Sequence, residues 1–150
     1  MRAITLEQAN TIIEIAFARA RELGLKPLSI ILLDAGGRVK AFQKQDGSAL
    51  LRFEIAYGKA FAALGLGRSS KLVLQKYREK PKFMENLERL SDGPIFLEGG
   101  AQLILDEHGE VVGAVGITGD TNEMDDDCAL AGIRGAGFSV DKNQYEGDGP

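Results

Sequence analysis

The chain has 150 residues and a net charge of −4, with 44% hydrophobic and 27% charged residues, one histidine and one cysteine. That length suits a single domain whose core needs no metal or disulfide staple, and one cysteine leaves no internal disulfide. The acidic balance argues against a nucleic-acid partner, and no stretch approaches the roughly 18–20 apolar residues of a membrane span.

Thr5 and Gln8 stand at capping-box spacing. Leu6, Ala9, Ile13, Ala16, Phe17 and Ala20 then recur every three or four residues, which predicts a helix over 6–23, stopped at Gly24. No apolar signal segment precedes that helix, so cytoplasmic residence with no membrane partner is expected. Leu28 to Leu33 and Val39 to Lys44 flank the turn residues Asp34-Ala35-Gly36-Gly37 and predict a β-hairpin. Ser48 is placed to cap a helix over Leu50 to Leu64, ended by Gly65 and Gly67. Ser69 or Ser70 caps a shorter helix reaching about Tyr77, and Pro81 opens another that ends near Leu90.

Ser91-Asp92-Gly93-Pro94 is a turn cluster, after which a short strand is expected around Ile95 to Leu97. Gln102 to Leu105 and Glu110 to Thr118 flank Asp106-Glu107-His108-Gly109 as a second hairpin. Thr121 caps a last helix, roughly 122–136. From Ser139 a polar, glycine-rich tail is expected to be disordered or to lie across the surface. The expected organisation is one domain over 1–138 and a tail over 139–150. Tight turns between neighbouring strands imply a largely antiparallel sheet, and the helices around it make the fold class α+β.

Glycine is abundant, at 19 residues. Gly113-Ala114-Val115-Gly116-Ile117-Thr118-Gly119-Asp120 reads as a strand of small residues. A packed helix, a second subunit or a ligand can lie directly against such a backbone. The spacing of these glycines is not the dinucleotide-binding fingerprint. His108 sits in a hairpin turn, where it suits neither a nucleophile relay nor a zinc site. Cys128 reads as a small buried hydrophobe. Glu123 and Asp127 share a helix face and are candidates for a hard cation, with a solvated helix start as the plainer reading. Lys59, followed by Ala60 and Ala62, either projects a charge into a pocket or belongs to a mixed surface.

Taken in order, these motifs resemble the GlcG/HbpS-like family, also called the haem-degrading domain family, which includes the C-terminal domain of PduO-type proteins. The resemblance runs from Leu6 to about Ala136. It rests on Leu33-Asp34-Ala35-Gly36-Gly37, Lys44-Gln45-Asp46-Gly47, Glu54-Ile55-Ala56, Lys59-Ala60, the Gly113 to Gly119 strand, Asp125 and Ala131-Gly132. The family's Pro-Gly-Gly-x-Pro loop reads Glu98-Gly99-Gly100-Ala101-Gln102 here, and its frequent threonine after the helix lysine is Ala62.

The resemblance implies profilin-like α/β/α layers, a five-stranded antiparallel sheet and self-association into a dimer or larger homo-oligomer. Some relatives bind haem, and some have been linked to its degradation. Three readings follow. In the first, the chain binds a small ligand, haem being the leading candidate cofactor. Glu54, Lys59, Glu98, Gly99, Gly100, Thr118 and Gly119 then line the pocket, and Lys59 pairs with a carboxylate or propionate. In the second, it is an enzyme acting on a small hydroxy- or oxo-acid, with Lys59 and Asp125 as acid and base. In the third, it is a ligand-free interaction module.

Overall fold

A computed structural model describes residues 3–142. Helix α1 (Leu6–Leu23) leads to strands β1 (Ser29–Asp34) and β2 (Val39–Lys44). Helices α2 (Arg52–Leu66), α3 (Ser70–Glu79) and α4 (Pro81–Leu90) follow. Strands β3 (Ala101–Leu105) and β4 (Val111–Thr118), helix α5 (Asn122–Gly135) and strand β5 (Ser139–Val140) complete the order. The strands form one sheet in the order β2-β1-β4-β3-β5, with every neighbouring pair antiparallel. The fold is α+β with helices on both faces.

The alternation of β1 explains the layering. Ile30 and Leu32 face a core shared with Ile12, Ile13, Phe17 and Ile133 of α1 and α5. Ile31 and Leu33 face a second core shared with Ala56, Ala60 and Ala63 of α2. Successive strand residues point to opposite faces, so an unbroken apolar run belongs to a strand covered on both sides. Helices α3 and α4 lie outside α2, where Ala62, Val73, Met84 and Leu97 form a small third cluster.

The start of α1 has the expected reciprocal cap. Thr5 Oγ1 accepts from the Gln8 amide at 3.1 Å, and Gln8 Oε1 accepts from the Thr5 amide at 3.0 Å. Gly24 closes the helix in the left-handed conformation, at φ 65°.

Three expectations are corrected. Ser48 does not cap α2. Its amide closes a turn on the Gln45 carbonyl, and the helix starts at Arg52 with no side-chain cap. Ile95 to Leu97 is not a strand, since its backbone turns to α2 instead: the Phe96 amide donates to the Gly58 carbonyl at 3.1 Å. The fifth strand comes from the stretch read as the start of a tail, where Ser139 and Val140 pair with Leu105 and Ile104. That pairing depends on a partner more than thirty residues away, which local composition does not encode. Residues 143–150 of the expected tail lie outside the described residues.

Candidate functional site

The site forms where β4 ends and α5 begins, beside the first half of α2. Two glycines determine how closely these elements meet. A Cβ at Gly116 would run into the Ala56 carbonyl oxygen and stand 3.1 Å from the Ala60 Cβ, so the missing side chain lets α2 lie against the strand. Gly100, at φ 111°, stands before β3; a Cβ there would lie 2.6 Å from the Ile117 carbonyl oxygen and 2.9 Å from Lys59 Nζ. The protein's own lysine fills that space, and this corrects the picture of an open place beside a lone ammonium.

Lys59 is 4% exposed. It leaves α2, passes Gly100 and reaches the opposite helical layer. Its Nζ donates to the Ile117 carbonyl at 3.1 Å and stands 3.7 Å from Asp125 Oδ2. Asp125 is fully buried, and its Oδ1 accepts from the Asp120 amide at 3.2 Å. Asp126 is buried too, and its Oδ1 accepts from Gln102 Nε2 at 2.8 Å. Asp125 Oδ2, Asp126 Oδ2 and Gln102 Oε1 have no hydrogen-bond partner among the described residues. The Lys59 ammonium thus lies against Asp125 and also acts on Asp126, and part of the hydrogen-bonding capacity of both carboxylates is unused.

Burial decides the proton affinities here. It raises Asp125 to about 6 against the pull of Lys59 and the Asp120 amide. It raises Asp126 to about 6 against the Gln102 hydrogen bond. Burial also lowers Lys59, while Asp125, Asp126 and Glu98 oppose that shift and Arg52 adds to it.

Arg52 is the residue that sequence reasoning missed. It lies seven positions before Lys59, which places both on one side of α2. Its Nη1 donates to Thr118 Oγ1 at 2.7 Å, and the guanidinium is only half-buried. No carboxylate pairs with it among the described residues. The seven-residue spacing to Lys59 was the available signal. Gln102 carried one as well, as a polar residue inside the apolar run Ala101 to Leu105.

Of the residues singled out from sequence, Lys59, Glu98, Gly99, Gly100, Thr118, Gly119 and Asp125 converge. Glu98 accepts from Asn122 Nδ2 at 3.2 Å, and Gly99 packs against the same asparagine. Gly119, at φ 143°, lies against the Pro27 carbonyl. Glu54 does not join them: it is exposed and lies about 140° around the helix from Lys59. The solvated-start reading fails for Asp125 and Asp126, which are buried. The cation pair is not formed either, because Glu123 is exposed and Asp127 is held by Arg19 Nε at 2.8 Å. No group of three or more His, Cys, Asp or Glu at metal-binding spacing occurs among the described residues. His108 is exposed in its turn, and burial pushes the Cys128 thiol up to about 12, so neither supplies a ready nucleophile. The arrangement offers a positively charged, hydrogen-bonding edge at Arg52 and Thr118, backed by a buried acid–ammonium group able to hold or exchange a proton.

A family model for the haem degrading protein HbpS-like family matches residues 4–134. An uncharacterized 15.0 kDa protein from the dhaT-dhaS intergenic region of Citrobacter freundii is 27% identical over 126 residues, which is 81% of this chain and 84% of that protein. Among solved structures, a PduOC:haem complex superposes with a TM-score of 0.80 at 22% identity, covering 93% of this chain and 99% of that one. A double mutant of Streptomyces reticuli HbpS superposes at 0.79 with 21% identity, covering 91% and 89%. Among the described residues no helix is long and apolar enough to cross a membrane.

Proposed function

The chain belongs to the family described as haem degrading protein HbpS-like, and from that premise we propose that it binds a small ligand bearing a carboxylate, with haem the leading candidate. The observation that carries this reading is Arg52, whose half-buried guanidinium is aimed by Thr118 and neutralised by no carboxylate among the described residues. A guanidinium keeps donors free for a two-point contact with a carboxylate, and a planar fork held in place loses little entropy on binding. Haem offers two propionates for such a contact, and the related PduOC structure is a haem complex. When bound, haem would supply iron chemistry. This chain's part is to grip the propionates with Arg52, backed by the buried Lys59–Asp125 pair. Neither His108 nor Cys128 lies in this cluster, so recognition rests on the carboxylate end. Self-association into a dimer or larger homo-oligomer, and a cytoplasmic location, belong to the same proposal.

Titration with hemin should give a saturable Soret shift at a fixed stoichiometry. Arg52→Met should weaken it roughly tenfold, the worth of a hydrogen bond to a charged group, with an unchanged circular dichroism spectrum. A featureless, non-stoichiometric response in the unmodified protein would remove haem.

A second reading has one observation in its favour. Asp125 sits at about 6, in the range of a working general acid or base, beside an ammonium. An enzyme acting on a small hydroxy- or oxo-acid would lose turnover in Lys59→Met while keeping its fold. Unchanged turnover in that variant would exclude this role.

A further inference from the structure

We infer that Asp125 is an internal substitute for the ligand's carboxylate, and that the protein takes up a proton on Asp125 as the ligand binds; this rests on the reading that a carboxylate docks between Arg52 and Lys59. Lys59 is the one ammonium inside the cluster and already faces two carboxylates, Asp125 and Asp126. A ligand carboxylate would be a third anion beside it. Arg52 offsets part of that charge from the α2 side. Asp120 on the turn before α5 and Glu98 on the loop before β3 add negative charge. Lys71 of α3 acts on Asp126. Gln102 of β3 is neutral and is spent on Asp126. Without compensation, the bound state would hold too much negative charge in a region closed to water.

Geometry selects Asp125 as the group that yields. Its Oδ1 is committed to the Asp120 amide. Its Oδ2 has only the ammonium, at 3.7 Å, and no hydrogen bond. A proton arriving there breaks no hydrogen bond and frees Lys59 for the newcomer. Asp126, by contrast, is anchored by Gln102. The carboxyl of Asp125 already lies near neutrality, so a further anion nearby needs to raise it by only about one unit to leave it half-protonated at pH 7. The balance is simple: the ligand enters as a carboxylate, one proton passes from solvent to Asp125 Oδ2, and no covalent bond to carbon changes. Asp125 is therefore a positioning residue for Lys59 and holds it until a stronger partner arrives.

The test uses hemin and absorption titration at pH 6.5 and pH 8. Affinity should fall roughly threefold over that interval in the unmodified protein. Asp125→Asn should show a shallower slope than the unmodified protein, while Asp125→Glu, which still titrates, should keep it. Hemin's own ionisation is common to all three, so the difference between variants reports the protein. Calorimetry of the unmodified protein at pH 7 in phosphate and in Tris needs no variant, and unequal binding heats are expected as the buffer gives up a proton. Equal heats, or the same pH slope in Asp125→Asn, would overturn the inference while leaving ligand binding intact. No saturable binding at either pH would sink the binding reading and this inference with it.

Discussion

On the face covered by α1 and α5, the sheet meets Ile12, Ile13, Phe17 and Ile133. On the other face it meets Ala56, Ala60 and Ala63, and at Gly116 it presents no side chain at all. The first layer is held by buried area, each large aliphatic side chain contributing about 1.5–3 kcal/mol. The second adds close approach to buried area: small residues bring the α2 backbone onto β4, while Phe53, Tyr57 and Phe61 pack around the same core. That contrast accounts for where the polar chemistry lies. Only a helix lying that close lets a lysine at its middle pass the end of the sheet and meet aspartates of the opposite layer. Bulky residues at positions 116 or 100 would close that route.

The close approach of α2 to β4 is most sensitive at Gly116. Gly116→Val places its side chain on the Ala56 carbonyl and should cost about 3 kcal/mol, the upper end of overpacking effects. Denaturant unfolding would show it, and an unchanged midpoint would mean that proximity does not hold the α2 layer.

Lys59→Met comes next. It leaves Asp125 buried without its cation and removes one of the two ammonium groups that act on Asp126, at a cost of about 3 kcal/mol at pH 8. The loss should shrink at pH 5, where both carboxyls accept protons, and thermal melts at the two pH values compare them.

A smaller effect concerns pH alone. Asp125 and Asp126 lie near 6 in the folded chain, against the ordinary 3.8. The folded state therefore holds those protons more tightly, which stabilises it below about pH 4 and ceases to do so as pH rises through 6. Lys59, lowered from 10.5, has the opposite slope: stability rises with pH between its folded value and 10.5. Stability should thus decline between pH 4 and pH 7, and Asp126→Asn should flatten that decline by about 1–2 kcal/mol. An unaltered profile in the variant would show that Asp126 titrates as it does in the unfolded chain. Smallest of all is Asp127→Asn, on the solvent side of α5. Its partner Arg19 is partly exposed, so the change should stay under about 1 kcal/mol. A larger loss in a melting experiment would mean that the outer face of α5 is not the passive surface it resembles.

Three consecutive aspartates show how far a sequence can be read. Helical spacing establishes that Asp125, Asp126 and Asp127 point in different directions, about 100° apart. It does not say which directions are dry. The placement of α5 over the end of the sheet buries the first two, and Arg19 of α1 collects the third. The lysine follows the same logic. Its neighbours Ala60 and Ala62 mark a helix face of small residues, but its partner lies 66 positions onward. Glu54, chosen from the same helix, falls on the wet side.

Most elements were legible from local signals, although the local cap expected at Ser48 is absent. The reciprocal cap at Thr5 and Gln8, the turn at Asp34 to Gly37, and proline at the start of α4 each act within a few residues, and each is present as expected. The false strand at Ile95 to Leu97 and the unforeseen strand at Ser139–Val140 mark the opposite case. Both depend on which distant backbone offers hydrogen bonds.

By itself, then, the sequence determined the helices, the hairpins, the α+β class and the resemblance to a family, because caps, turns and hydrophobic periodicity are written in neighbouring residues. Tertiary structure alone decided that Lys59 is paired rather than free, that Arg52 meets no carboxylate among the described residues, and that the glycines make room for the protein's own atoms. Burial, charge neutralisation and close packing are properties of groups brought together from distant parts of the chain, and they take a value only once the layers have closed around them.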